Sequence, residues 1–183
     1  MDEEQQRLIS TIRQVYGGIV WTHKTHEKDR EIFAQRATRD KWINVILITS
    51  TTIVLVLSIV LDKDWGTAIG TFFACISTLF AAYSLSFSPE REAQHHREAA
   101  KALYNERQCL LLLIERSMAS DADLADIRKE LENITDRVNQ INSIAPDTSS
   151  KAYQIATKAL NVNEELTFSE KEIDNLLPPE LRT

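Results

Sequence analysis

Cysteine, proline, glycine and aromatic residues are all scarce in this chain of 183 residues, and each scarcity excludes something. Its two cysteines, Cys75 and Cys109, supply neither a disulfide framework nor zinc-ligand spacing, so they suit a reducing compartment or a buried thiol. Four prolines, four glycines and no low-complexity tract exclude collagen-like, mucin-like and disordered chains. Basic residues are in deficit, 21 against 27 acidic ones, and no direct nucleic-acid binding is expected from a net charge of -6. Chemistry-bearing motifs are missing too. There is no Gly-rich phosphate loop, nucleophile elbow, HExxH or paired-Asp motif, so no catalytic residue, no cofactor and no enzymatic activity are expected.

What the chain has instead is a strong segregation of charge. Only Asp62, Lys63 and Asp64 are charged between Lys41 and Glu90. Residues 42–61 and 65–88 are two uncharged runs, the first of twenty residues, which as a helix spans about 30 Å, the hydrocarbon thickness of a bilayer. A buried core helix explains one such run poorly and two in succession worse. The three-residue connection allows only an antiparallel hairpin. Trp42 and Trp65 open the two spans, where indoles prefer the headgroup layer. Lys24, Lys28, Arg30, Arg36, Arg39 and Lys41 precede the hairpin and Arg91, Arg97, Lys101 and Arg107 follow it, against Lys63 alone in the loop. That bias predicts a multi-pass membrane protein with both termini cytoplasmic.

Four regions result: residues 1–41, the hairpin 42–88, an extension 89–117 of the second helix, and an acidic helical region 118–183. In the first, Leu8, Ile12, Val15 and Tyr16 mark a short amphipathic helix, ended by Gly17-Gly18 before a long helix leads into the first span. Pro89 kinks the returning helix or begins a new one, and Ala99, Leu103, Leu110, Leu113 and Ile114 are candidates for its buried side. Ser120 with Asp123 resembles a capping box opening the next helix. There Leu124, Ile127, Leu131, Ile134, Val138 and Ile141 form a heptad stripe, either an oligomerisation seam or an amphipathic face lying on the stalk. A helix over 150–161 carries Tyr153, Ala156 and Leu160. Ser169 with Glu172 caps a last one, ended by Pro178-Pro179. The distal 66 residues hold seven basic and thirteen acidic side chains, a solvated face available to a partner.

Within the spans, Asn44, Thr51 and Ser58 recur every seven residues and are candidates for the lining of a wetted path, with Thr71 and Thr78 as the rival lining. Gly70, Ala74, Ser77, Ala81, Ser84 and Ser88 form a face of small side chains that lets two helices approach closely in lipid. His23, His26, His95 and His96 flank the hairpin. A fold at Lys63 sets position 26 opposite about 101, and four imidazoles could bind zinc, but a polar helix surface is the better reading and no metal is expected.

With these parts in place the sequence resembles the SLATT family, small two-transmembrane effectors of bacterial defence systems. The resemblance rests on WTHKTHEKDREI before the first span, the minimal hairpin loop, PEREAQHHREAAKALYNERQCLLLLIE after the second span, and TFSEKEIDNLLPPELR at the end. It covers nearly the whole chain and lies more in the order of parts than in any one string. It implies an all-α, homo-oligomeric membrane protein that forms a pore when infection is sensed and kills or arrests the host cell. It also implies a reverse transcriptase or a cyclic-oligonucleotide synthase as functional partner. A passive anchor recruiting such an enzyme is the alternative, and a holin-like lysis protein a remoter one.

Overall fold

The structure, a computed structural model, describes residues 3–62, 64–178 and 182. Among them are six helices and no strand: α1 Glu3–Val60, α2 Asp64–Ser86, α3 Pro89–Ser117, α4 Leu124–Ile144, α5 Ser150–Asn161 and α6 Glu170–Leu176. The expected all-α class and two-helix hairpin are present. Both hairpin helices contain segments long and apolar enough to cross a membrane. Lys63, at which the fold was expected, lies outside the described residues.

Helix α1 is the axis of the molecule. Its 58 residues run about 87 Å without a break. The expected stop at Gly17-Gly18 does not occur: both glycines are helical, neither has a positive φ, and nothing lies within 4 Å of where a Cβ would stand. Leu8 and Ile12 before the pair and Ile19 after it are buried in one core, so tertiary packing outweighs the poor helix propensity of glycine.

The chain returns along α1 as α2 and then α3. Phe87 and Ser88 separate these two, and Pro89 occupies the first turn of α3, where its missing N–H costs nothing. Phe87 and Ser88 are non-helical. Extended residues advance about 3.3 Å each against 1.5 Å in a helix, so α3 covers the same distance with fewer residues. That gains about two residues, and Ser58 already meets Gly66 earlier than a fold at Lys63 would place it, so His26 faces His96, not position 101.

Beyond the spans, α4 lies along α3 and α5 along α1, making a bundle around Leu8, Ile12, Ile19, Leu103, Leu110, Leu113, Ile127 and Ile134. The stripe Leu124, Ile127, Leu131, Ile134, Val138 and Ile141 faces this core, with Ile127 and Ile134 fully buried. The amphipathic reading thus describes α4 within one chain, and the stripe is covered by the stalk. Asp123, not Ser120, caps α4, accepting from the amides of Ala125 and Asp126. The Ser169–Glu172 capping box of α6 forms as expected. Polar ties fix the far end. Gln5 Nε2 donates to the carbonyls of Ser117 and Ala119 (both 2.9 Å), and Arg137 holds Glu106 bidentately at 3.0 and 2.9 Å.

Replacing Gly17 and Gly18 with Ala should raise stability by about 0.5–1 kcal/mol each, because the unfolded chain loses freedom and the helix meets no new neighbour. Thermal unfolding of the detergent-solubilised chain checks this. A lower midpoint would mean that the helix is interrupted at this point.

Candidate functional site

Two structural features carry functional weight: the inner face of the hairpin and the polar joint immediately beyond it. Inside the hairpin the two polar patterns meet each other. The Thr51 hydroxyl donates to the Leu47 carbonyl at 2.8 Å and stands 3.5 Å from Ser77 Oγ across the helix pair. Ser58 packs on Gly66 so closely that an added Cβ would lie 2.7 Å from Ser58 Cβ. Gly70 packs on Leu55, whose Cγ would stand 2.7 Å from the same addition. Thr51 and Ser58 are buried at 9% and 6% exposure although nothing but these two helices surrounds them. Asn44 sits on the same face at the stalk end. It lines a cavity of about 470 Å³ with Asp40, Lys41, Ala81, Ser84, Ser88 and Arg91. Asn44 Oδ1 and Ser84 Oγ are both buried there without a protein partner among the described residues. A cavity of that size and polarity admits water.

The rival candidates lie on the opposite side of α2. Thr71 and Thr78 are exposed, and each hydroxyl donates to the carbonyl one turn back, at 2.8 and 2.9 Å. They belong to a longer outward stripe of Thr67, Thr71, Cys75, Thr78, Ala82 and Ser86, all exposed. Sequence reasoning singled out only two of its six members. The spacing of four, four, three, four and four residues was available as a signal.

The joint links α1, α3 and α5 through buried polar groups. His26 and His96, 2% and 1% exposed, share a hydrogen bond between their Nδ1 atoms at 2.9 Å. Phe33 stacks on His96 at 5.5 Å between centroids. His23 meets the Ala100 carbonyl through Nδ1 at 2.9 Å. Asp29, 1% exposed, accepts from the Ser149 amide (2.8 Å) and hydroxyl (2.6 Å), which pins the start of α5 to α1. Lys24, also buried, bridges Glu27 at 2.8 Å and Glu165 at 2.7 Å. Glu165 is presented between Glu164 and Leu166, both in the left-handed region at φ 52 and 77. Non-glycine residues adopt that backbone only when surrounding contacts impose it. Burial alone would lower the Lys24 ammonium, but its hydrogen bonds to Glu165 and Glu27 outweigh burial and hold it above its ordinary value. Burial depresses all three inward histidines, and His26, which also faces the His96 ring, falls to about 4. His95 is turned outward, 52% exposed, so the four imidazoles do not converge. Among the described residues no three His, Cys, Asp or Glu side chains are grouped to hold a metal ion.

A long two-span hairpin continued by a helical stalk is the layout of one known family. The model of the SMODS and SLOG-associating 2TM effector domain family 4 matches residues 8–172. The chain belongs to this family. The match takes in the stalk, the hairpin, the joint and the first residues of α6, so this SLATT protein is a two-transmembrane membrane protein of an effector type associated with defence systems. No match arises among curated proteins or solved structures.

Two predictions follow from this geometry. Gly70→Val would drive a branched side chain into Leu55 and should cost about 1–3 kcal/mol of hairpin stability, whereas Leu85→Ala, at an 84% exposed position, should cost far less. Unfolding in mixed micelles compares them, and equal stabilities would mean the spans do not touch at Gly70. The second concerns pH. The folded state keeps His26 neutral down to about pH 4, while the unfolded chain takes up a proton near 6.5. The resulting stability is complete above pH 6.5 and is lost as pH falls from there towards 4. The melting temperature should therefore drop between pH 7.5 and 5, with a smaller drop in His26→Gln. An unchanged pH slope in that variant would contradict a buried neutral His26.

Proposed function

We propose that this SLATT protein is an anti-phage effector that acts by assembling several hairpins into a membrane-disrupting pore in the inner membrane, with abortive infection as the outcome. Two spans enclose no lumen by themselves, so a path for ions requires a homo-oligomer. The observation that carries the reading is the outward stripe of α2. Thr67, Thr71, Cys75, Thr78, Ala82 and Ser86 offer a small, weakly polar surface to lipid, while Thr51 and Ser58 pack inside the hairpin and Asn44 lines the cavity at its stalk end. Small and hydroxylated faces associate in lipid through close backbone approach and weak hydrogen bonds. Thr71 and Thr78 are therefore the preferred lining or contact residues between protomers. The basic residues flanking the spans favour cytoplasmic termini. With that topology the stalk and the acidic distal helices share a compartment with a cytoplasmic sensing enzyme, and we take a reverse transcriptase or a cyclic-oligonucleotide synthase as the source of the signal. In the alternative, the same distal face recruits that enzyme to a passive anchor.

Induced expression with a membrane-potential dye, alongside the neighbouring enzyme where the trigger requires it, separates these readings. The parent chain should depolarise cells, and Thr71→Leu with Thr78→Leu should insert normally but depolarise at least tenfold less. Full depolarisation by the double variant would remove the outer stripe as the path. A parent chain that never depolarises cells would leave the anchor.

A further inference from the structure

Between α1 and α3, just beyond the His26–His96 pair, lies a cavity of about 380 Å³ lined by His23, Glu27, Arg30, Arg97, Lys101 and Tyr104, among others. Its charge is the reverse of the molecule's. Three cations face it against one carboxylate, while the chain as a whole carries -6. The carboxylate is already engaged, because Glu27 accepts from Lys24 at 2.8 Å. Arg97 and Lys101 form no ion pair among the described residues. Among the described residues Arg30 pairs with Glu31 at 3.8 Å and acts on Glu27 at longer range, and its Nε is buried without a hydrogen-bond partner. Two helices thus bring like charges to one concave site, where a bound anion would relieve their mutual repulsion. We infer that this cavity binds a phosphate-bearing small molecule, with Arg30 and Arg97 forking phosphate oxygens and Lys101 adding a point charge.

The height of the site distinguishes a soluble ligand from a lipid headgroup. Arg30 lies twelve residues before Trp42 on an unbroken helix, about 18 Å from the start of the span. Arg97 lies nine residues after Ser88, about 13 Å beyond the end of the other span. The polar layer of a bilayer is only about 5–8 Å deep on each side. Lys41, which does stand at that border, is paired with Glu90 at 3.2 Å. The occupant is therefore a soluble phosphate compound. Bound there, it would tie α1 to α3 at the level from which the Lys24–Glu165 and Asp29–Ser149 contacts hold the distal helices.

The test is calorimetric titration of inorganic pyrophosphate into the full chain in nanodiscs of pure phosphatidylcholine, at fixed ionic strength. It does not depend on whether assembled hairpins conduct ions. One saturable site per chain is expected, weakened at least tenfold by Arg97→Gln with Lys101→Gln. Both side chains are exposed, so the double variant should melt as the parent does. Lys41→Gln should leave binding intact. Absence of saturable binding, or equal binding by the double variant, would overturn the site. Loss of pyrophosphate binding when phosphatidylglycerol is added to the nanodiscs would show that a lipid headgroup occupies it and would overturn the soluble ligand.

Discussion

Close contact between the polar face of one span and the small face of the other governs this molecule. In lipid no hydrophobic force holds two helices together, so approach distance and weak polar contacts decide whether a hairpin has a defined register. Here Ser58 settles on Gly66, Leu55 on Gly70 and Thr51 beside Ser77, three contacts nearly evenly spaced along α1. That pairing fixes which turn of α3 returns against which turn of α1. The alignment of His26 with His96 and of His23 with Ala100 follows from it. It also decides which hydroxyls remain outside. With Thr51 and Ser58 packed inside, the hydroxyls left facing outward are those of Thr49 and Thr52 on α1 and of the α2 stripe, which is the surface proposed for contact between chains.

The joint above the hairpin passes that register to the distal helices. Buried ionic and imidazole groups do little for net stability against apolar replacements, yet they tolerate few alternative arrangements, because each misplacement leaves a buried charge without a partner. Asp29 accepts two hydrogen bonds from Ser149, and Lys24 is met by carboxylates from its own helix and from beyond α5. We read these as the specificity elements of the stalk. The left-handed backbone on both sides of Glu165 fits a segment held by its contacts rather than by its own preferences. This joint is the segment through which the distal helices are coupled to the spans.

Much of the architecture was legible in the sequence because the signals were long. Two apolar runs in successive helices, helices limited by Pro89, Pro146 and the Ser169–Glu172 box, and the buried side of α3 are all seen in the structure. What was not legible depended on tertiary context. Gly17-Gly18 reads as a break, but a core that engages residues on both sides carries the helix through it. The return register differs by about five positions from a fold at Lys63, partly because Ser58 already meets Gly66 and partly because two non-helical residues precede Pro89, and no local pattern records either. The seven-residue repeat of Asn44, Thr51 and Ser58 was visible, but lining a path and packing on a neighbour require the same spacing. The heptad stripe of α4 had the same ambiguity, which the adjacent stalk resolves within one chain.

The most direct measurement of the central claim is a disulfide cross-link between Thr51→Cys and Ser77→Cys, made with Cys75 and Cys109 replaced by Ser. The two native side-chain oxygens stand 3.5 Å apart across the hairpin, so mild oxidation in membranes should give an intramolecular bond. The chain should stay monomeric on a denaturing gel and migrate differently after reduction. Predominant disulfide-linked dimers, or no cross-link at all, would contradict an inward-facing Thr51 and return the first span to the surface between protomers.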